Sequence, residues 1–323
     1  MATTESTTVP IGDQPPATYA RSPFDDPDAD VILRSSDNVD FRVFRSFLSY
    51  ASPFFKGMFV LPQVPYPGDN SDETRDGVPV IRVAEECDTL QRLLFLCYPL
   101  DVPSVDTLAQ VQAVLEAALK YDMKTRRVEK QPKEWLVEPK FMETEPVRVL
   151  MIACRYRLQE EFTVATMFSL GRQILEEVDE ADLDHMTGRQ LFRLLQHHKK
   201  CAAAVKGILT DFGWIERPFC WFTCGGCSSA HDKIKIAASN KMVRKSLWWS
   251  TYMRGIDAAF ADGTWSKVKN KLMDEAMMGA YRCRGGNCEM SGAPAQMTEF
   301  IALLEAQVKR VIAEVRDIRS GVS

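Results

Sequence analysis

The sequence of 323 residues predicts an α+β fold, a small sheet with helices, followed by a mainly α-helical C-terminal region. Two observations support this fold class. Short stretches with strand-like alternation, bounded by turn-forming residues, lie within about the first 85 residues. After residue 147 apolar residues recur at helical spacing. The order strand, strand, helix, helix, strand, helix, helix is typical of an α+β domain.

The first 28 residues precede the predicted fold. Residues 1–28 are rich in Thr, Pro, Asp and Ala and show little hydrophobic periodicity, so we expect them to be disordered. They have neither the basic start nor the apolar core of a secretory signal. Apolar runs in the chain fall short of the ~20 residues of a membrane span. The nine cysteines are therefore interpreted as reduced thiols or metal ligands of a cytoplasmic or nuclear protein.

The α+β region opens with a predicted hairpin. Residues 29–33 and 39–43 are short apolar or alternating stretches separated by a polar turn. A helix is predicted over residues 44–50, and Pro53 begins a second helix because proline is favoured in the first helical turn. Phe54, Phe55, Met58 and Phe59 form the apolar face of that second helix.

One more strand and two helices complete this region. Residues 62–77 contain three prolines and several acids, which predict an exposed loop. Residues 78–83 predict a third strand. Leucines recur on one side of predicted helices over residues 87–97 and 105–121.

These elements resemble a BTB/POZ domain over residues 29–123, about a third of the chain. The blocks that carry the resemblance are Ala29–Leu33, Phe41–Leu48, Ser52–Phe59, Leu93–Pro99 and Ala118–Met123. The resemblance implies a non-catalytic protein-interaction domain that often self-associates. Under it, the fold is held mainly by Phe41, Phe44, Phe54, Phe55, Met58 and Phe59.

Two departures and one continuation refine the resemblance. The family usually has His-Lys where this chain has Phe44-Arg45. BTB domains that recruit cullin ubiquitin ligases often carry Glu soon after the Met-Phe pair, and here Val60–Gln63 follows instead. A cullin-adaptor role is therefore kept as a secondary alternative. Residues 145–149 and 153–156 look like the helical extension of BTB proteins from basidiomycete fungi.

The remaining chain divides by composition. A charged, proline-broken stretch predicts a linker with a docked aromatic, Trp135 or Phe141, and Thr187–Gln190 has the spacing of a helix capping box. The predicted segments are a disordered 1–28, the BTB/POZ domain 29–123, a linker 124–146, a helical extension 147–213, a Cys-rich helical segment 214–290 and an amphipathic helix 291–323.

Two cysteine pairs predict a zinc site. Cys224 and Cys227 form a C-x-x-C on a glycine turn, and Cys283 and Cys288 lie on a second glycine turn. Two such turns together supply four thiolates for tetrahedral zinc, and a site closed by four protein ligands is structural. The interpretation leaves open a local site, a redox dithiol, or thiols without metal. The local site would use Cys220, Cys224, Cys227 and His231.

The Cys-rich segment is also basic. Between Cys220 and Cys288 there are eleven Lys or Arg and five Asp or Glu, interleaved with aromatic residues. This pattern makes a nucleic-acid-binding transcriptional regulator the main alternative function. The simpler interpretation is a set of solvated surfaces over an aromatic core, with acidic protein partners as a further option.

The last predicted helix has a seam of apolar residues. They follow 4-3 spacing at Met297, Ile301, Leu304, Val308, Val311, Val315 and Ile318. This spacing suits a coiled coil. Phe300 and Ile312 widen the face, which favours docking onto the protein's own helices over an intermolecular zipper.

The sequence contains no P-loop, G-x-G-x-x-G or G-x-S-x-G motif. His197 and His198 are expected on a solvated helix edge. We therefore predict a non-enzymatic scaffold that forms homo- or hetero-oligomers through the BTB/POZ domain, binds protein partners and takes no small-molecule substrate.

Overall fold

A computed structural model describes residues 16–60, 73–178, 180–184, 186–224, 228–237, 239–283, 288 and 292–315. The chain divides into two compact units, Met1–Trp135 and Leu136–Ser323. The first unit combines a small sheet with helices and the second is mainly helical, so the predicted fold class is confirmed.

The first unit contains a mixed sheet in the order β1-β3-β2-β5-β4. Its strands are β1 (Thr18–Tyr19), β2 (Val31–Arg34), β3 (Val39–Val43), β4 (Thr74–Arg75) and β5 (Val78–Arg82). The predicted hairpin is present: β2 and β3 pair antiparallel with Leu33 opposite Phe41. Strand β5 lies parallel to β2, because the chain crosses over through two helices before it returns.

Five helices complete the first unit: α1 (Arg45–Ala51), α2 (Pro53–Val60), α3 (Cys87–Cys97), α4 (Leu108–Lys120) and α5 (Arg126–Leu136). Helix α2 begins at Pro53 as predicted. Helix α4 begins with a full capping box, in which the Thr107 side chain accepts from the Gln110 amide and the Gln110 side chain accepts from the Thr107 amide.

The prediction of disorder over residues 1–28 is wrong for residues 16–28; residues 1–15 lie outside the described part of the chain. Strand β1 pairs with β3, and the Phe24 side chain is fully buried. Its ring meets Phe41, Phe95 and Tyr98 at centroid distances of 5.1–5.8 Å. The composition of this segment did not reveal its order, because one buried aromatic ring and a few sheet hydrogen bonds suffice to hold it.

The prediction of a linker over residues 124–146 is also corrected, because this stretch is largely helical. Helix α5 occupies its first half and continues through Pro132, and helix α6 (Pro139–Thr144) follows. Trp135 and Phe141, the aromatics expected to dock, are both buried. Proline misled the sequence interpretation because Pro139 lies in a first turn, where a missing amide hydrogen costs nothing.

The second unit contains α6, α7 (Pro146–Arg155), α8 (Gln159–Ser169), α9 (Ile174–Glu177), α10 (Glu180–Leu183), α11 (Gly188–Thr210), α12 (Leu247–Ala261), α13 (Trp265–Tyr281) and α14 (Ala293–Glu314). The capping box predicted at Thr187 and Gln190 is formed and begins α11. The predicted helical extension is interrupted after Ser169, because Gly171 adopts a left-handed backbone conformation.

Helix α14 docks onto the second unit's own helices. Met297, Phe300, Leu304, Val308 and Ile312 are buried in the common core. The helix packs against α8, α11 and α13. Its apolar face is therefore covered from within the chain, as the width of that face predicted; Ile318 lies outside the described residues.

A two-stranded hairpin, β6 (Ser228–Ile236) with β7 (Ser239–Ser246), lies in the segment 214–290 that was predicted to be helical. Ile234 and Ile236 are buried, and the alternating residues Lys233 and Lys235 are exposed. This period-two alternation is the strand signal, and the sequence interpretation missed it because the flanking segments are helical.

Candidate metal centre

Three cysteine side chains from distant parts of the sequence meet in the second unit. The Sγ atoms of Cys224, Cys283 and Cys288 all lie within 4.8 Å of one another. Cys224 Sγ and Cys283 Sγ are 3.4 Å apart. Cys224 and Cys288 are buried and Cys283 is half-buried. The structure therefore brings together three of the four cysteines that the sequence predicted as ligands.

An aromatic core fixes the first cysteine. A single 3₁₀ turn, Cys220–Phe222, precedes Cys224. Within that turn Trp221 is fully buried, stacks on Phe219 at 4.6 Å and meets the edge of Trp248 at 5.4 Å. The turn is therefore held by large rigid rings, which restrict where the following thiol can lie.

The C-terminal helix secures the same turn from the other side. The Cys220 amide donates to Gln296 Oε1 of α14 at 2.9 Å. Phe300, one turn further along α14, packs edge-on against Phe219 and Trp221. Helix α13 ends at Tyr281, two residues before Cys283, and so carries the second part of the chain back to the turn.

The sulfur positions fit a zinc ion in size and donor type. Tetrahedral zinc with Zn–S bonds of about 2.3 Å places its sulfurs about 3.8 Å apart. The observed separations, 3.4 Å for one pair and at most 4.8 Å for the others, bracket that value. Thiolates are zinc ligands, and buried thiolates need a compensating charge that a divalent cation supplies.

The fourth donor is not fixed by the described residues. Cys227 and the side chain of His231 lie outside them. Cys220 is a candidate because it lies in the 3₁₀ turn four residues before Cys224 and is half-buried. The predicted set with Cys227 and the local variant with Cys220 therefore both remain open at this position.

The expectation that His197 lies on a solvated helix edge is wrong, because its side chain is buried on α11. His197 Nε2 lies 3.3 Å from Cys201 Sγ. Burial, with smaller effects of His198 and Lys200, lowers the pKa of His197 to about 4, and burial raises the pKa of Cys201 to about 12. Both groups are neutral near pH 7, so this pair has no activated nucleophile.

An ion network in the first unit was missed by the sequence analysis. Arg34 donates through Nε and Nη2 to both carboxylate oxygens of Asp40, at 2.5 and 2.8 Å. Arg75 Nη1 also donates to Asp40, and Glu73 accepts from Arg34. Burial would raise the pKa of Asp40, but the hydrogen bonds from Arg34 and Arg75 outweigh it and hold that pKa below its usual value.

Several large apolar side chains of the first unit are exposed. Tyr50 on α1 is 84% exposed, Val60 on α2 is 77% exposed and Leu119 on α4 is 66% exposed. Phe54, which the resemblance placed among the residues that hold the fold, is instead half-exposed, with its ring 5.6 Å from that of Tyr121. Contiguous apolar patches, rather than single exposed side chains, mark surfaces that associate with other proteins.

The chain thus combines an α+β first unit with a mainly helical second unit. Residues 25–133, about a third of the chain, match the family model of the BTB/POZ domain. The chain therefore contains a BTB/POZ domain, as the resemblance implied; the match begins four residues before and ends ten residues after the predicted 29–123. No curated protein matches the chain. Among the described residues, no helix is both long and apolar enough to cross a membrane.

Proposed function

We propose that this protein is a non-catalytic assembly factor that self-associates through its BTB/POZ domain and binds other proteins, in the cytoplasm or nucleus. The family match over residues 25–133 carries the proposal. The exposed side chains of Tyr50, Phe54 and Leu119 support it, because the first unit presents apolar surface that another copy can cover.

Light scattering tests the self-association. We expect a mass near twice 36.5 kDa at tens of micromolar protein. Tyr50→Lys is expected to shift the mass toward the monomer, since it places a charge on the apolar surface of α1. Leu175→Lys, on the exposed surface of α9 in the second unit, is the matched control. A monomeric mass of the unmodified chain at all concentrations would contradict the proposal.

We propose in addition that Cys224, Cys227, Cys283 and Cys288 bind one structural zinc ion. The three sulfurs already within 4.8 Å of one another support this. When bound, zinc would supply a cross-link between the 3₁₀ turn and the end of α13. Apparent binding free energies of structural zinc are about 10–16 kcal/mol, so one ion can hold this segment folded.

Elemental mass spectrometry of the purified chain tests the zinc site. We expect about one zinc per chain, lost in Cys224→Ser and in Cys283→Ser and retained in the control Cys154→Ser on α7. Comparing Cys227→Ser with Cys220→Ser identifies the fourth ligand, because one of the two variants keeps the metal. Protein that carries no zinc when prepared with zinc present would exclude the site.

A nucleic-acid-binding role is the second candidate, and one observation favours it. Lys233 and Arg244 are paired directly across the β6–β7 hairpin, and both are exposed. Lys235 points to the same face, since it lies two residues along the strand. Opposed like charges destabilise a hairpin, and a bound phosphate would relieve that repulsion.

Mobility shift with random duplex DNA decides this candidate. Phosphate contacts make affinity fall steeply with salt, so we expect a shift at low salt that weakens as salt rises if the hairpin binds nucleic acid. Lys233→Glu with Arg244→Glu should abolish it. Absence of any shift at low salt excludes the role. Of the residues that bear on cullin recruitment, Val60–Gln63, all but Val60 lie outside the described part of the chain.

A further inference from the structure

A groove of about 780 Å³ lies between α12 and α13 and is open along one side. Two glycines let these helices approach closely. A Cβ at Gly279 would lie 2.6 Å from Trp248 Cβ, and a Cβ at Gly255 would lie 2.7 Å from Leu272 Cδ2. The two contacts show that the helices run antiparallel. Both glycines also line the groove.

The groove is apolar along its floor. Trp248 and Tyr252 line it, and the Nε1 and hydroxyl atoms of these side chains are inaccessible to solvent, so their carbon atoms are what a ligand would meet. Leu247, at the start of α12, also lines the groove and is 61% exposed. Hydrogen bonds to a ligand must therefore come from the rim.

The rim is positively charged. Arg254 and Arg282 line the groove from opposite helices, and both are exposed. Neither guanidinium forms an ion pair with a residue that the structure describes; Arg254 donates only to the hydroxyl of Thr251. The acid on the wall, Glu275, already has Lys271 Nζ at 3.9 Å. The lining therefore carries two guanidinium groups and one carboxylate, a net positive charge.

We propose that this groove binds a short extended segment of a partner protein, in which Asp or Glu stands beside an apolar side chain. From Leu247 to Gly255 the helix axis rises about 12 Å, enough for about four extended residues. The open side admits a chain that enters and leaves, whereas small ligands are usually enclosed. The guanidinium fork matches a carboxylate, and the floor suits the apolar side chain. This surface lies in the second unit and does not depend on BTB/POZ self-association.

Selection from a random peptide display library on the full-length protein tests the proposal. We expect enrichment of peptides with Asp or Glu next to an aromatic or aliphatic residue. The most enriched peptide, labelled with fluorescein, is then titrated by anisotropy. Arg254→Glu with Arg282→Glu should weaken its binding by about tenfold or more, as should replacing its acids by Asn and Gln.

Two further variants exclude simpler explanations. Arg189→Glu with Lys199→Glu, at exposed positions on α11, changes the net charge equally and should leave the affinity unchanged. Thr251→Trp fills the groove without changing charge and should weaken binding. Light scattering of the rim variant should match the unmodified protein, which separates this test from that of self-association. Enrichment without acids, no enrichment, or equal affinity of the rim variant would overturn the proposal.

Discussion

At the scale of single residues, Asp40 is a buried carboxylate in the first unit. Its side chain is fully buried, and its charge is balanced by Arg34 and Arg75. A buried ion pair adds little over a well-packed apolar pair, because desolvation offsets the attraction. Removing one partner, however, leaves an uncompensated buried charge. Without the Asp40 carboxylate, the charge of the buried Arg34 would be compensated less fully.

Asp40→Asn is expected to lower the free energy of unfolding by about 3 kcal/mol, the lower end of the range for breaking a buried pair, since the amide still accepts hydrogen bonds. Urea denaturation measures this. Asp122→Asn is the control: Asp122 pairs with Lys124 at the surface, and we expect a change of about 0.5 kcal/mol or less. Equal effects of both variants would contradict the role of burial.

The same carboxylate predicts how stability depends on pH. Its pKa in the folded chain lies below the ordinary value of 3.8, so its contribution is fully present above that pH. The contribution is lost as the pH falls further and the carboxylate takes up a proton. Denaturation midpoints measured from pH 6 to pH 3 should fall less steeply in Asp40→Asn than in the unmodified protein.

His197 predicts a separate pH window. Burial lowers its pKa to about 4 in the folded chain, so the unfolded chain takes up a proton first as the pH falls below 6.5. Folding is therefore opposed progressively between about pH 6.5 and pH 4. An NMR titration of the imidazole resonances should show one histidine with a midpoint near 4. Midpoints near 6.5 for all histidines would show that His197 is not buried.

At the scale of elements, two glycines inside helices differ in the space around them. Gly279 on α13 faces Trp248, whereas a Cβ at Gly207 on α11 would meet nothing within 4 Å. Glycine in a helix costs about 1 kcal/mol relative to alanine through backbone entropy. Gly279 is therefore retained for packing against α12, a reason that helical periodicity does not reveal.

Gly279→Ala is expected to destabilise the second unit by about 1–3 kcal/mol, because the added carbon overlaps Trp248 and the helices must separate. Gly207→Ala should instead stabilise the same unit, by up to about 1 kcal/mol. Denaturation followed by tryptophan fluorescence compares the two. Stabilisation by both substitutions would mean that α12 and α13 lie further apart than the structure shows.

At the scale of the whole molecule, the chain divides into two compact units, and a metal site is proposed for the second alone. Removing zinc with a strong chelator should therefore expose the second unit to protease, while a fragment ending near Trp135 survives. The reason is that metal binding and folding of a structural site are linked. Limited proteolysis resolved by mass spectrometry measures this, with Cys224→Ser reproducing the effect without chelator. An unchanged cleavage pattern would contradict a structural metal.

The sequence by itself determined the α+β plan of the first unit, the helical character of the second and the cysteines worth testing. Residues 29–43 could be predicted as a hairpin because local alternation and turns set strand pairing. The sequence also determined the capping box at Thr187, since the motif is local. Each of these features follows from a sequence pattern that spans only a few residues.

Only the tertiary structure decided what depends on distant residues. The burial of Phe24, the meeting of Cys224 with Cys283 and the groove at Gly279 each join segments far apart in the chain. Periodicity records which side of an element is apolar and not which element covers it. Segments of weak local signal, such as residues 16–28, are ordered by contacts that form only when the whole unit folds.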